Sequence, residues 1–278
     1  MKRPVNKSLR EYARGVAGGL LFSLPLLYTM EVWWAGFTTH PWRLAAYVAA
    51  TFVLLLGYNE FVGLRRDASF AEVVIDSVEE LGIGFVVAAV VLWLLGRVTM
   101  GMPAAEAVGK ITIEAMTVAI GVSVGTAQLG GGDGEDDKGV SGGAGDGAGG
   151  FGAQVVIAFC GAVLFAANVA PTEEIVMLAV EAPAWRLVGL ALLSLAVAAL
   201  VLYYSEFANA RQRVRFDRRH DVLVGSVVTY AVALAASALI LWFFGRFDGQ
   251  SLAVCAAQTV VLGVAATLGS SAGRLLLQ

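Results

Sequence analysis

Long apolar stretches, separated by short polar segments, are the main pattern along this chain. Each stretch reaches the length of roughly 20 residues that an α-helix needs to cross a bilayer. The stretches lack the alternation of lipid-facing and lumen-facing residues that marks a β-barrel strand. We therefore predict an all-α polytopic membrane protein with eight transmembrane helices. The predicted segments are 15–36, 41–63, 72–95, 104–127, 155–180, 184–207, 221–245 and 251–273.

The second half of the chain repeats residues of the first half in the same order, which indicates an internal duplication. Since four spans return the chain to its starting side, the halves are predicted to be parallel four-helix repeats with the same orientation. We expect a first repeat over 1–128, a flexible Gly/Asp-rich cytoplasmic linker over 129–150, and a second repeat over 151–278. Matched pairs include Gly18 with Gly161, Glu31 with Glu174, Trp42 with Trp185, Ser77 with Ser226, Gly96 with Gly245 and Gly121 with Gly269.

Composition and charge agree with a membrane protein. Hydrophobic residues make up 58% of the chain and charged residues only 15%, and the mean hydropathy is +0.75. A formal net charge of -3 argues against nucleic acid as a partner, so the expected partner is the lipid bilayer. The positive-inside rule places both termini in the cytoplasm. Of 19 Lys and Arg residues, five fall on the predicted outer side, namely Arg43, Arg97, Lys110, Arg186 and Arg246.

Carboxylates inside predicted spans are the strongest candidates for chemistry, because a charge in the bilayer is costly. Near the outer ends of the first and fifth spans lie Glu31 and the pair Glu173 and Glu174, and Asn168 and Thr172 add neutral oxygens. Pro25 and Pro171 predict helix breaks that expose backbone carbonyls there. We expect an outer cation site from these residues. The alternative is that the carboxylates pair with Arg43 or Arg186.

A second acidic cluster, formed by Asp76, Glu79 and Glu80, lies in the cytoplasmic half of the third span. The i, i+3 and i+4 spacing places the three carboxylates on roughly one helix face, where mutual repulsion favours binding of a proton or another cation. The alternative is pairing with Arg65, Arg66 or the basic segment after span six. For Glu114, in span four, the spacing favours an ion pair with Lys110.

Two Gly-x-Ser-x-Gly segments lie at matched positions in the fourth and eighth spans. A hydrolase is not expected, because the two histidines, His40 and His220, fall at opposite membrane faces, so the chain is predicted not to be an enzyme. Small residues at this spacing let helices approach closely, and we expect spans four and eight to pack tightly. No metal site or cofactor is predicted. The two segments are Gly121, Ser123 and Gly125, and Gly269, Ser271 and Gly273.

Two acidic segments and the duplicated plan carry a family resemblance. The segments 171–174 and 77–82 resemble those of a family of bacterial integral membrane proteins with duplicated four-helix halves. The resemblance covers nearly the whole chain outside the linker. It implies a multi-pass protein of the inner, or plasma, membrane, and it implies no particular activity.

From the residues we expect a cation transporter or channel, and proton coupling would follow naturally from the carboxylates. The alternative is a non-transporting scaffold or regulatory subunit whose acidic residues pair with arginines at the interface. A pathway needs carboxylates that face one another within the bundle, whereas a scaffold would direct them to headgroups or arginines. A homo-oligomer is compatible with either function.

Overall fold

The computed structural model describes residues 5–62, 69–128, 151–209 and 218–276, and within these ranges every regular element is an α-helix. The chain divides into two compact units, Met1–Ala153 and Gln154–Gln278. The predicted linker 129–150 lies outside the described residues, as do Arg65 and Arg66. The first five helices are α1 (Val5–Leu27), α2 (Met30–Thr38), α3 (Pro41–Val62), α4 (Phe70–Leu94) and α5 (Ala104–Gln128). The next five are α6 (Phe151–Val169), α7 (Glu173–Glu181), α8 (Ala184–Asn209), α9 (Arg218–Phe243) and α10 (Leu252–Leu276).

Seven of the described helices are long and apolar enough to cross a membrane. An eighth span results if α1 and α2 together count as one broken span, because the two helices meet at an angle of 86°. The chain is therefore an all-α, multi-pass protein, as the hydropathy pattern predicted.

The first and fifth predicted spans are both interrupted, in the two regions where Pro25 and Pro171 predicted helix breaks. The first is interrupted at Tyr28 and Thr29, and the fifth is interrupted between Val169 and Glu173. Thr29 adopts an extended conformation before α2, and its hydroxyl donates to the Pro25 carbonyl at 2.7 Å. Pro25 itself remains inside α1, so the break follows the proline instead of preceding it. Pro171 lies within the second break.

Helix α5 is the centre of the first unit. It packs against α1, α2, α3 and α4. In its most apolar stretch 83% of the residues are buried, compared with 28% in α3 and in α4. Because α5 is enclosed on all sides by protein, a polar side chain on it is shielded from lipid as well as from water.

The second unit has helices of the same order and similar lengths. Helix α10 corresponds in position to α5 and packs against α7, α8 and α9. It also approaches α6 closely, because a Cβ atom added at Gly161 would collide with the Gly269 carbonyl.

Matched turns end α4 and α9. Gly96 and Gly245 have positive φ values of 69° and 71°, which favour glycine at a helix C-terminus. The following residues, Arg97 and Arg246, donate backbone N–H groups to Leu92 and Leu241 at 2.8 and 2.9 Å. These are residues that the sequence comparison of the two halves paired.

Candidate functional site

Glu80 lies at the centre of a polar cluster inside the first unit. The Asn59 amide on α3 donates to the Glu80 carboxylate on α4 at 2.8 Å and to the Ser77 hydroxyl at 3.0 Å. The Ser123 hydroxyl on α5 donates to the Asn59 amide oxygen at 3.2 Å. Asn59, Ser77 and Ser123 are buried, and Glu80 is half-buried. Within the described ranges, three helices therefore surround this carboxylate with neutral polar groups.

Glu79, a second member of the acidic cluster, points toward α1. Glu79 is exposed and accepts a hydrogen bond from the Tyr12 hydroxyl on α1, and Asp76 is half-buried. Among the described residues, no group of three or more acidic, histidine or cysteine side chains has the arrangement of a metal site. Glu80 is therefore the member of the cluster for which a hydrogen bond to a buried amide of α3 is described.

The outer carboxylates lie in the first turns of the two short helices. Glu31 begins α2 and is half-buried, while Glu173 and Glu174 begin α7 and are exposed. A helix N-terminus favours negative side chains of this kind. Glu31 belongs to the first unit, and Glu173 and Glu174 to the second.

Glu173 forms an ion pair, but with a different arginine from those expected. The Arg246 guanidinium contacts the Glu173 carboxylate at 2.7 Å and also donates to the Pro171 carbonyl. Arg43 and Arg186 instead stack over the rings of their neighbours Trp42 and Trp185. The Glu173 pair joins the start of α7 to the turn after α9, which is a structural role.

The neutral groups next to this pair bond to nearby backbone. The Asn168 amide donates to the Leu164 carbonyl at 2.5 Å, and the Thr172 hydroxyl donates to the Val169 carbonyl at 2.9 Å. The Thr172 bond satisfies a carbonyl at the end of α6, and the Asn168 bond is made within that helix to the carbonyl one turn earlier. They account for both side chains without an ion.

Sequence reasoning misassigned Glu114. The expected pair with Lys110 is wrong, because the Lys110 ammonium contacts Glu106 at 2.5 Å. Both glutamates lie one turn from Lys110, and a glutamate on the N-terminal side of a lysine is the better-oriented partner. Glu114 is completely buried, and within the described part of the chain no group donates to either of its carboxylate oxygens. The sequence signal that could have indicated this buried acid was its position at the centre of an apolar run.

The buried face of α3 connects the regions around Glu114 and Glu80. Its five buried residues are Tyr47, Thr51, Leu55, Tyr58 and Asn59, and all of them except Leu55 carry a polar group. The Tyr47 hydroxyl lies 3.4 Å from the Thr117 hydroxyl on α5. A stripe of this kind is unusual for a bilayer-spanning helix, whose buried face could be wholly apolar.

The small residues of α5 and α10 mediate packing within each unit. A Cβ atom added at Gly18 on α1 would lie 2.7 Å from the Gly121 carbonyl and even closer to the Gly125 Cα. Gly161 on α6 makes the matching approach to Gly269, and Gly273 approaches the Ile157 carbonyl. Within each unit these glycine faces pack against α1 and α6, and the contact between spans four and eight stays a prediction. Ser123 faces Asn59, and Ser271 is buried.

A scan against protein-family models matches residues 11–277 to the family described as "Putative integral membrane protein (DUF2391)". The chain belongs to this family. The match covers both units and agrees with the multi-pass helical structure. No significant match was found among curated proteins or among solved structures.

Proposed function

We propose that the first unit carries a cation across the membrane, as a transporter or a channel, with Glu80 as a binding group. The observation that carries this proposal is the Asn59 to Glu80 hydrogen bond between two bilayer-spanning helices. Glu80 is the eleventh residue of the 25-residue α4, which puts it about 15 Å along the helix. At that depth a carboxylate is costly unless it serves a purpose.

The two units would be parallel repeats, but only the first would bind the cation. Support for duplication comes from paired contacts: Lys110 and Gln258 each donate to the carbonyl of the arginine after the positive-φ glycine, at 3.4 and 3.3 Å. The position matching Glu80 is Thr229, whose hydroxyl bonds to its own helix at Gly225. The second unit thus lacks the inward carboxylate of the first.

The distribution of basic residues supports insertion in the plasma membrane with cytoplasmic termini. In that orientation Glu80 lies on the cytoplasmic side of the midpoint of α4, and Glu31 lies near the outer face. Glu31 would then be an entry group for cations, whereas Glu173 is engaged by Arg246.

A scaffold function is the second candidate, and the exposed Glu173 to Arg246 pair favours it. In a scaffold, the acidic residues of the second unit would only join helix ends. The polar cluster around Glu80 would then be a device for holding α3, α4 and α5 together.

Flux measurements in liposomes separate the two candidates. We would compare the wild-type protein with Glu80→Gln under imposed pH and alkali-cation gradients. Glu60→Gln is the matched control, because Glu60 is exposed and adjacent to Asn59 on α3. We expect at least about a tenfold loss of flux for Glu80→Gln and none for Glu60→Gln, since a neutral amide cannot exchange a proton for a cation. Wild-type protein without flux would favour the scaffold, and equal flux in all three would remove Glu80 from the pathway.

A further inference from the structure

Glu114 is a fully buried acid that the site around Glu80 does not include. It lies at the eleventh position of α5, which four helices surround. The side chains of its neighbours Ile113, Ala115 and Met116 are completely buried and apolar. As described above, Lys110 is turned toward Glu106, and the carboxyl group of Glu114 has no donor among the described residues.

An ionised carboxylate in this position would lose its hydration without gaining a hydrogen bond or a counter-charge. The penalty for such a charge in a real protein is several kcal/mol, whereas a protonated carboxyl group avoids most of it. A metal ion would need several oxygen ligands in addition to Glu114. The hydroxyls of Tyr47 and Thr117 lie 3.4 Å from each other, and among the described residues neither hydrogen-bonds to the Glu114 carboxylate. The surroundings therefore suit a proton better than a metal cation.

The titratable groups on the helices around α5 leave the environment of Glu114 largely uncharged. Tyr47 on α3 is the neighbour close enough for its charge to interact with that of Glu114. Glu80 on α4 faces Asn59, and Glu79 faces Tyr12. The remaining titratable side chains described on packed helices are half-exposed or exposed, namely Arg10 and Arg14 on α1, Glu31 on α2, Arg43 and Glu60 on α3, and Glu72 and Asp76 on α4, while Tyr58 on α3 is buried.

We propose that Glu114 is a buried proton-binding site, and that protons pass between it and Glu80 along the polar face of α3. The inference rests on the proposed function and narrows its substrate to the proton. From the end of α3 near Glu114 to the end near Glu80, the polar residues on this face are Tyr47, Thr51, Tyr58 and Asn59. Tyr47 and Asn59 are about 18 Å apart along α3, at 1.5 Å per residue. Hydroxyl groups and bound water over this length can relay a proton, with water closing the gap at Leu55, while the Asn59 amide orients Glu80 at the end of the path.

The second unit provides the comparison for this site. The spacing that matches Gly121 to Gly269 matches Glu114 to Leu262, which is completely buried. An apolar residue therefore occupies the equivalent position of the second unit. Glu114 is not required by the packing of such a helix, so a function specific to the first unit accounts for it.

Infrared spectroscopy of the full chain in liposomes tests the protonation of Glu114 directly. We expect the wild-type protein at neutral pH to show the C=O stretching band of a protonated carboxylic acid, which exchanges slowly in D2O because the group is buried. Glu114→Gln should lose this band, and Glu106→Gln, eight residues away on the same helix, should keep it. Absence of the band in the wild-type protein, or its persistence in Glu114→Gln, overturns the proposal.

Proton flux in the same vesicles tests the pathway. We expect Glu114→Gln to lower proton flux at least about tenfold, with Glu106→Gln unchanged. Glu114→Leu, which copies the second unit, should lose flux while folding as well as the wild-type protein. If Glu114→Gln loses the infrared band but keeps the proton flux of the wild-type protein, the relay is overturned, even if Glu80→Gln still stops transport. Wild-type protein without any flux contradicts the proposed function, whereas the infrared band tests the proton site independently of flux.

Discussion

Residues in the protein interior decide whether an acidic side chain is a surface feature or a candidate site. Asp76, Glu79 and Glu80 look equivalent in the sequence, yet Glu80 contacts a buried amide on α3, whereas Glu79 is exposed and contacts Tyr12 on α1. Glu106 and Glu114 are both one turn from Lys110, yet only Glu106 is paired with it. Spacing along one helix identifies what a side chain could reach, and the neighbouring helices decide what it does reach.

Asn59 should stabilise the first unit through its bond to Glu80. Replacing it by leucine removes the amide that donates to Glu80 and accepts from Ser123. Leaving a half-buried carboxylate without its donor lowers the free energy of unfolding by about 1–3 kcal/mol. We expect Asn59→Leu to lower the unfolding midpoint in detergent, and Glu60→Gln to leave it unchanged.

The combination of Asn59→Leu with Glu80→Leu is the control for that measurement. Removing both partners abolishes the unsatisfied acceptor, so the double variant should recover part of the stability that Asn59→Leu loses. If Asn59→Leu unfolds at the wild-type midpoint, the hydrogen bond makes no contribution to stability, and Glu80 is solvated in some other way.

At the scale of helices, glycine contacts set the distance between α1 and α5. The backbones meet where Gly18 faces Gly121 and Gly125, and no side chain fits between them. Membrane helices associate through such contacts because lipid provides no hydrophobic drive to pack. The same arrangement between α6 and α10 gives both units a close pair of helices.

Gly18→Ala should therefore destabilise the first unit by about 1–3 kcal/mol, the usual range for forcing a methyl group into a packed interface. Gly82→Ala is the matched control, because Gly82 lies inside α4 with open space around it. There the alanine should be neutral or stabilising by about 0.5–1 kcal/mol, from its better helix propensity. Unfolding of the two variants in detergent measures the difference. Equal midpoints would show that α1 can move away from α5 at little energetic cost.

At the scale of the whole molecule, parallel duplication predicts which loops share a side of the membrane. The turn between α4 and α5 and the turn between α9 and α10 should both face outward. Met100 is fully exposed in the first of these turns, and Gln250 is exposed in the second. Ser69, exposed before α4, should face the cytoplasm.

Cysteine labelling in cells checks this arrangement. We would place single cysteines at Met100, Gln250 or Ser69 in a chain with Cys160 and Cys255 replaced by alanine, and add a membrane-impermeant thiol reagent. Parallel repeats predict labelling of Met100→Cys and Gln250→Cys from outside, and of Ser69→Cys only after the membrane is permeabilised. Labelling of Met100→Cys and Gln250→Cys from opposite sides would indicate inverted units instead.

The sequence by itself determined the class of the protein and the approximate positions of its helices. This follows because a lipid-exposed span must be apolar over its whole length, and that requirement is visible in one dimension. It also named Glu80 as a candidate, together with Asp76 and Glu79, since ionisable residues inside an apolar run are conspicuous. The broken first span was only partly foreseen, because Pro25 marked the region while the break itself came at Thr29.

Only the tertiary structure decided which polar groups meet. Asn59 and Glu80 are on different helices, and their contact depends on how α3 and α4 pack against α5. Burial of Glu114 likewise depends on α5 being surrounded by four helices, which no spacing rule encodes. Hydropathy reports the transfer of each residue into an apolar medium, whereas a site is made by side chains that are far apart in sequence and brought together by packing.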